Sequence, residues 1–176
     1  YGIIQVSGSA ITLIKHGVIE TGKGDDHPMK LKVIFEGILT IIDQFNPDEL
    51  AIEAPFFGKN VQSMLKLGRA QGVSMAAALY RNIPITEYSP KKIKQSITGN
   101  GNASKEQVAA MLQQLLKFKN DAAFLDATDG LAAAVCHYLQ NNIGGKSGEK
   151  KHTGWKAFLA DNPSKLHASK TSTKEK

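Results

Sequence analysis

What most limits the fold of this chain is the order in which its hydrophobic periodicities change. Residues 1–7 and 10–20 read as two strands, and Gly8-Ser9 between them is a short turn that closes a hairpin. The period then lengthens. Over residues 28–45, Leu31, Ile34, Phe35, Ile38, Leu39, Ile41 and Ile42 fall on one broad helical face, Pro28 suits a first turn and Pro47 stops the helix. Residues 49–53 read as a short buried strand, 59–80 as a second long helix and 83–88 as a strand. Ser89-Pro90 starts a short basic helix, Gly99-Asn100-Gly101-Asn102 is a turn, Ser104 caps a helix to residue 118, and 123–140 is the last helix. Strands followed by alternating helices and strands predict one α/β domain.

With 176 residues, 41% of them hydrophobic, the chain can bury a real core. The single cysteine, Cys136, excludes an internal disulfide and fits a reducing compartment. No apolar run spans a bilayer and the start shows no signal peptide, so a soluble, cytoplasmic protein is expected.

The net charge of +6 is unevenly placed. Residues 146–176 hold eight lysines against three acids, +5 of the total, so the body before them carries about +1. Composition divides the chain at residue 140, into an α/β body of 1–140 and a polar, lysine-rich tail of 141–176 expected to be disordered. Trp155 and Phe158 give that tail one sticky turn, suited either to a partner or to a loose flap on the body. Within the body, Lys59, Lys66, Arg69, Arg81, Lys91, Lys92 and Lys94 are offset between residues 54 and 95 only by Glu87. Such a stretch suits a polyanion, and its plain alternative is a solvated helix face.

Three acids stand in apolar segments: Glu53, after Leu50-Ala51-Ile52, and Asp126 and Asp129, within Phe124-Leu125-Asp126-Ala127-Thr128-Asp129-Gly130-Leu131. Carboxylates there are costly unless neutralised. Asp126 and Asp129, three apart, share one helix face and repel each other unless a cation lies between them. A first helical turn also favours acids through the helix dipole, which is the plain reading of the pair. Hard oxygen ligands from separate elements suggest Mg²⁺ or Mn²⁺, and basic surface beside them suggests phosphodiester chemistry.

Four motifs in order make the reading specific: Ala51-Ile52-Glu53-Ala54-Pro55-Phe56-Phe57-Gly58-Lys59-Asn60, then Ala70-Gln71-Gly72, then Ile93-Lys94-Gln95-Ser96-Ile97-Thr98-Gly99 with Ser104-Lys105, then Asp126-Ala127-Thr128-Asp129. Over residues 1–138 the chain closely resembles the RuvC-type Holliday-junction resolvases. The resemblance implies an RNase H-like fold, a mixed five-stranded sheet with helices on both sides. It also implies a homodimer that cuts opposed strands of a four-way DNA junction in recombination and repair, working with a branch-migration helicase complex. It implies two Mg²⁺ per subunit, with Mn²⁺ able to substitute, held by Glu53, Asp126 and Asp129. Lys94 and Lys105 match the family's basic residues near the scissile phosphate, and Phe56 matches the aromatic that stacks on an unpaired base. Phe57, Lys59, Lys66, Arg69, Lys91 and Lys92 complete the expected DNA surface. For Phe56 the plain alternative is a core aromatic.

The chain departs from the family in one respect. It begins at Tyr1-Gly2-Ile3-Ile4, which looks like the family's second strand, so the first strand and its aspartate are expected upstream. On that expectation the chain as written is inactive or nearly so, and poorly stable. The rival reading is a junction-binding protein without catalysis or an inactive fragment of the resolvase. A sugar-kinase-like ATPase ranks last, because no second domain is present to close on a nucleotide.

Overall fold

The computed structural model describes residues 1–55, 60–118 and 124–144, apart from the side chains of 124–126 and 142–144. The first strand, β1 (Gly2–Ser7), pairs antiparallel with β2 (Ala10–His16) through the expected two-residue turn. Gly8 in that turn has φ +58°, a conformation that disfavours a Cβ. β2 is shorter than expected: Gly17 donates its N–H to the Tyr1 carbonyl at 3.0 Å, and the chain then turns away.

The first helix, α1 (His27–Phe45), begins where the Asp26 carboxylate accepts the Met29 N–H at 2.9 Å, with Pro28 in the first turn. It ends at Asn46, whose φ of 44° no helix continues. Next come β3 (Leu50–Glu53) and α2 (Val61–Tyr80), which Asn60 caps by accepting the Ser63 N–H at 3.1 Å. The fourth strand, β4 (Ile85–Tyr88), runs parallel to β3 with Leu50 opposite Ile85 and Glu53 opposite Tyr88. It starts two residues later than expected because Ile83 donates its N–H to the Ala78 carbonyl, closing the turn after α2.

Three helices follow. They are α3 (Pro90–Thr98), capped by Ser89; α4 (Lys105–Leu116), with a reciprocal capping box between Ser104 and Gln107; and α5 (Phe124–Gly144). α5 continues four residues past the compositional change at 140, and residues 1–144 form one compact unit. The tail beyond it, with Trp155 and Phe158, lies outside the described residues.

Among the described residues the strands make two separate pairs, β1 with β2 and β3 with β4. Helices cover both faces of β3 and β4. Leu50 and Ile85 turn toward α1 and α2, joining a small core of Ile42, Ala78 and Ile83. Ala51 and Tyr88 turn the other way, into a larger core where Ile93 and Ile97 of α3, Val108 and Leu112 of α4, and Leu131 and Val135 of α5 meet. Leu112 and Leu131 are completely buried, each contributing about 1.5–3 kcal/mol. β3 itself is half-buried rather than buried as expected: among the described residues it has one strand neighbour, β4.

Candidate active site

Glu53 is the last residue of β3, and β4 holds it in place. The next residue, Ala54, donates its N–H to the Tyr88 carbonyl at 2.8 Å, so the ladder continues just past the carboxylate. Asp129 comes from α5, which lies against both β1 and β3. Its approach to β1 is very close. A Cβ on Gly2 would stand 2.6 Å from the Leu131 Cα, and one on Gly130 would stand 2.9 Å from the Tyr1 Cα. Only glycine at both positions lets the helix sit this low.

Two lysines complete the group. Lys105 is the first residue of α4, and its Nζ lies 3.1 Å from Asp129 Oδ2. Lys94 is in the middle of α3. Glu53, Lys94, Lys105, Thr128 and Asp129 line one cavity of about 490 Å³, together with Lys91 from the first turn of α3 and Asn102 from the turn between α3 and α4. Lys91 is held down there: a Cβ on Gly101 would meet its Cγ at 2.6 Å.

The electrostatics follow from this packing. Burial pushes the Glu53 carboxyl above its ordinary value, and the Asp129 charge adds to the rise; Lys105 and Lys94 oppose it. Two carboxylates therefore share a cavity, and one ammonium, that of Lys105, stands close to Asp129.

The structure corrects one expectation. Asp129 was expected in an apolar setting, yet its side chain is 51% exposed, because it faces the open cavity rather than the core packed around Leu131. Asp126 precedes Asp129 by one turn in α5, and its side chain lies outside the description, as do Phe56, Phe57 and Lys59 altogether. Among the described residues no three acids, histidines or cysteines cluster.

Lys66 and Arg69 are not in this cavity. They belong to α2, where Arg69 lines a separate apolar groove of about 410 Å³ with Pro55, Val61, Met64, Leu65 and Gly68. Lys92, on α3, does not line the cavity either. Two polar lining residues were not singled out as site residues from the sequence. Thr128 is only 3% exposed and stands in the last motif with no role assigned to it, and Asn102 read as part of a turn. No described helix is long and apolar enough to cross a membrane.

The profile of the RuvC family, crossover junction endodeoxyribonuclease RuvC, matches residues 1–137. A Bacteroides fragilis protein named crossover junction endodeoxyribonuclease RuvC is 60% identical over 168 residues, covering 94% of this chain and 88% of that protein. A Shewanella oneidensis protein of the same name is 50% identical over 141 residues, 80% of each chain. Among solved structures, Thermus thermophilus RuvC in complex with Holliday junction substrate superposes with a TM-score of 0.72 at 28% identity, over 81% of this chain and 87% of that one. The fold is thus RNase H-like, and the acids and lysines meet in a chain of known lineage. By sequence and by fold, this chain belongs to the RuvC family of crossover junction endodeoxyribonucleases, hydrolases that act on DNA phosphodiester bonds.

Proposed function

We propose that this chain resolves four-way DNA junctions by hydrolysing phosphodiesters in the cavity between β3, α3, α4 and α5. The observation that carries this is the convergence of Glu53, Asp129, Lys94 and Lys105, from four separate elements, on one cavity. Asp126, one turn before Asp129, joins them in the proposal. Phe56 and Phe57, following Pro55, would stack on an unpaired base at the branch point, an interaction of about 1–3 kcal/mol per base. Lys59, Lys66, Arg69, Lys91 and Lys92 would hold the flanking phosphates.

The donors fit a hard divalent cation. Glu53 is pushed toward its protonated form partly by Asp129, a repulsion that a cation between them relieves. Glu53, Asp126 and Asp129 would hold Mg²⁺, or Mn²⁺ in its place, and the family pattern implies two ions. Bound there, Mg²⁺ supplies a Lewis acid that activates water and balances charge on the phosphate. The chain's own groups do the rest. Lys105 and Lys94 face the phosphate and offset the negative charge that grows on it in the transition state. The cavity wall orients the scissile bond for in-line attack, and the leaving 3′ oxygen departs on the opposite side.

A homodimer is part of this reading. Val61, Leu65 and Leu67 on α2 are more than half exposed, and a methyl on Gly68 or Gly72 would touch no other element among the described residues. Both glycines weaken an isolated helix by roughly 1 kcal/mol, so a second helix approaching them gives their presence a reason. A branch-migration helicase complex is the further partner the family implies. The buried free thiol of Cys136 suits a reducing, cytoplasmic compartment. The tail after α5 adds a positively charged grip on DNA.

The test is to compare the full-length protein with its Asp126→Asn and Asp129→Asn variants on labelled four-way junctions in Mg²⁺. Retained binding with lost cleavage supports the assignment. Cleavage by either variant overturns it.

A further inference from the structure

Glu53 and Asp129 sit on different elements, and one residue outside the cavity is tied to both. The Tyr88 carbonyl accepts the Ala54 N–H at 2.8 Å, which fixes the end of β3 beside Glu53. The Tyr88 hydroxyl lies 2.9 Å from His137 Nδ1 on α5, the helix that carries Asp129, with the two rings edge to face. The other ring nitrogen of His137 bonds the Glu49 carboxylate just before β3, and the Asn141 amide nitrogen lies 3.1 Å from it.

The proton positions follow from the partners. A carboxylate only accepts, so in the neutral ring the proton is on Nε2 and is donated to Glu49. Nδ1 is then left to accept the Tyr88 O–H. His137 is largely buried, with a side chain 15% exposed, which favours one ring orientation. The geometry repeats at both ends of β3: Glu53 shares a cavity with Asp129 at one end, and Glu49 bonds His137 at the other. Eight residues of α5 rise about 12 Å and four residues of strand about 13 Å, so the two elements stay in step between these points.

We infer that Tyr88, His137 and Glu49 are positioning residues for the cleavage reaction, a hydrogen-bonded strut that sets where α5 stands along β3 and so sets the spacing of Glu53 and Asp129. The inference rests on the proposed assignment of those two acids. Neither Tyr88 nor His137 lines the cavity. Misplacing catalytic groups by a fraction of an ångström is costly even when the fold survives.

The experiment uses Tyr88→Phe, which removes one hydroxyl, with His137→Leu, His137→Gln and the Tyr88→Phe/His137→Leu double variant. Hydrogen exchange of the Ala54 amide reads the strut without any cleavage, against the Asn46 amide at the end of α1 as control. Exchange at Ala54 is expected to speed up by about tenfold in Tyr88→Phe while Asn46 and the melting temperature hold. Junction cleavage under single turnover is expected to fall by about 10–100-fold at unchanged junction affinity. The double variant should lose no more than the worse single, and His137→Gln, which keeps an amide, should recover part of the rate. Unchanged exchange at Ala54 in Tyr88→Phe and His137→Leu overturns the inference, as does an equal loss of binding, melting temperature and rate. Failure of the acid assignment shows separately, as cleavage by Asp129→Asn.

Discussion

Lys105 Nζ stands 3.1 Å from Asp129 Oδ2, although the two residues are 24 positions apart and belong to different helices. Both side chains are more than half exposed, so the pair contributes little to stability, at most about 1 kcal/mol. Its value lies in placing an ammonium beside a carboxylate at the cavity. Lys105→Met should leave the urea midpoint nearly unchanged and lower junction cleavage by about 10²-fold. Equal cleavage by the variant would remove Lys105 from the mechanism.

Glu53 should be a stability cost that function imposes. Its carboxyl is raised by burial first and by Asp129 second. A carboxyl raised on folding contributes stability below its ordinary value, and that contribution is lost as pH rises through the folded value. With metal removed by EDTA, Glu53→Gln should therefore be more stable than the parent at pH 7 and close to it at pH 4. Urea denaturation at the two pH values checks this. A variant that is less stable at pH 7 would mean the acid is satisfied by its lysines alone.

The opposite sign applies at the far side of the sheet. Arg81 grips Asp43 with two bonds of 2.7 and 2.8 Å, joining the end of α2 to α1, and holds the Asp43 carboxyl below its usual range. A lowered carboxyl stabilises the fold above the ordinary aspartate value and loses that effect as pH falls through the folded one. Asp43→Asn should flatten the acid limb of the stability curve below the ordinary aspartate value of about 4 and leave cleavage at neutral pH intact. An acid limb identical to that of the parent would show that the pair carries no linkage.

Gly72 separates the fold from the assembly. Among the described residues no other element lies within 4 Å of a Cβ built there, so Gly72→Ala should stabilise the isolated α2 by about 0.5–1 kcal/mol. If a second copy packs against that face, the same methyl should weaken the dimer. Sedimentation at several concentrations would show the shift toward monomer. An unchanged dimer would place the interface elsewhere.

Much of this was legible in the sequence because it is local. Pro28 and the apolar face of α1, the Ser89 and Ser104 caps, and the Gly8-Ser9 turn are readable from a few neighbouring residues. Element ends were less so, since they depend on partners far away: β2 stops where Tyr1 and Gly17 close the ladder, and α4 stops at Lys117, whose φ of 53° no periodicity announces. The motif acids Glu53 and Asp129 could be named from the family pattern, but the exposure of Asp129 could not. It depends on how low α5 sits on β1, which Gly2 and Gly130 decide together. The Tyr88–His137–Glu49 strut had no sequence signal at all, because its members come from a strand, a helix and a loop with no fixed spacing.

The most direct test of the account is a cleavage assay of the full-length protein on a labelled four-way junction and on linear duplex of the same sequence, in Mg²⁺ and in EDTA, beside Asp126→Asn and Asp129→Asn. The account predicts paired nicks in the junction alone and only with Mg²⁺. It predicts that each asparagine variant binds the junction with nearly parental affinity, since the lysines that hold phosphates are untouched, and cuts at least 10³-fold more slowly, roughly the loss of an essential charge in the transition state. Metal-dependent junction cleavage that survives Asp129→Asn would contradict it.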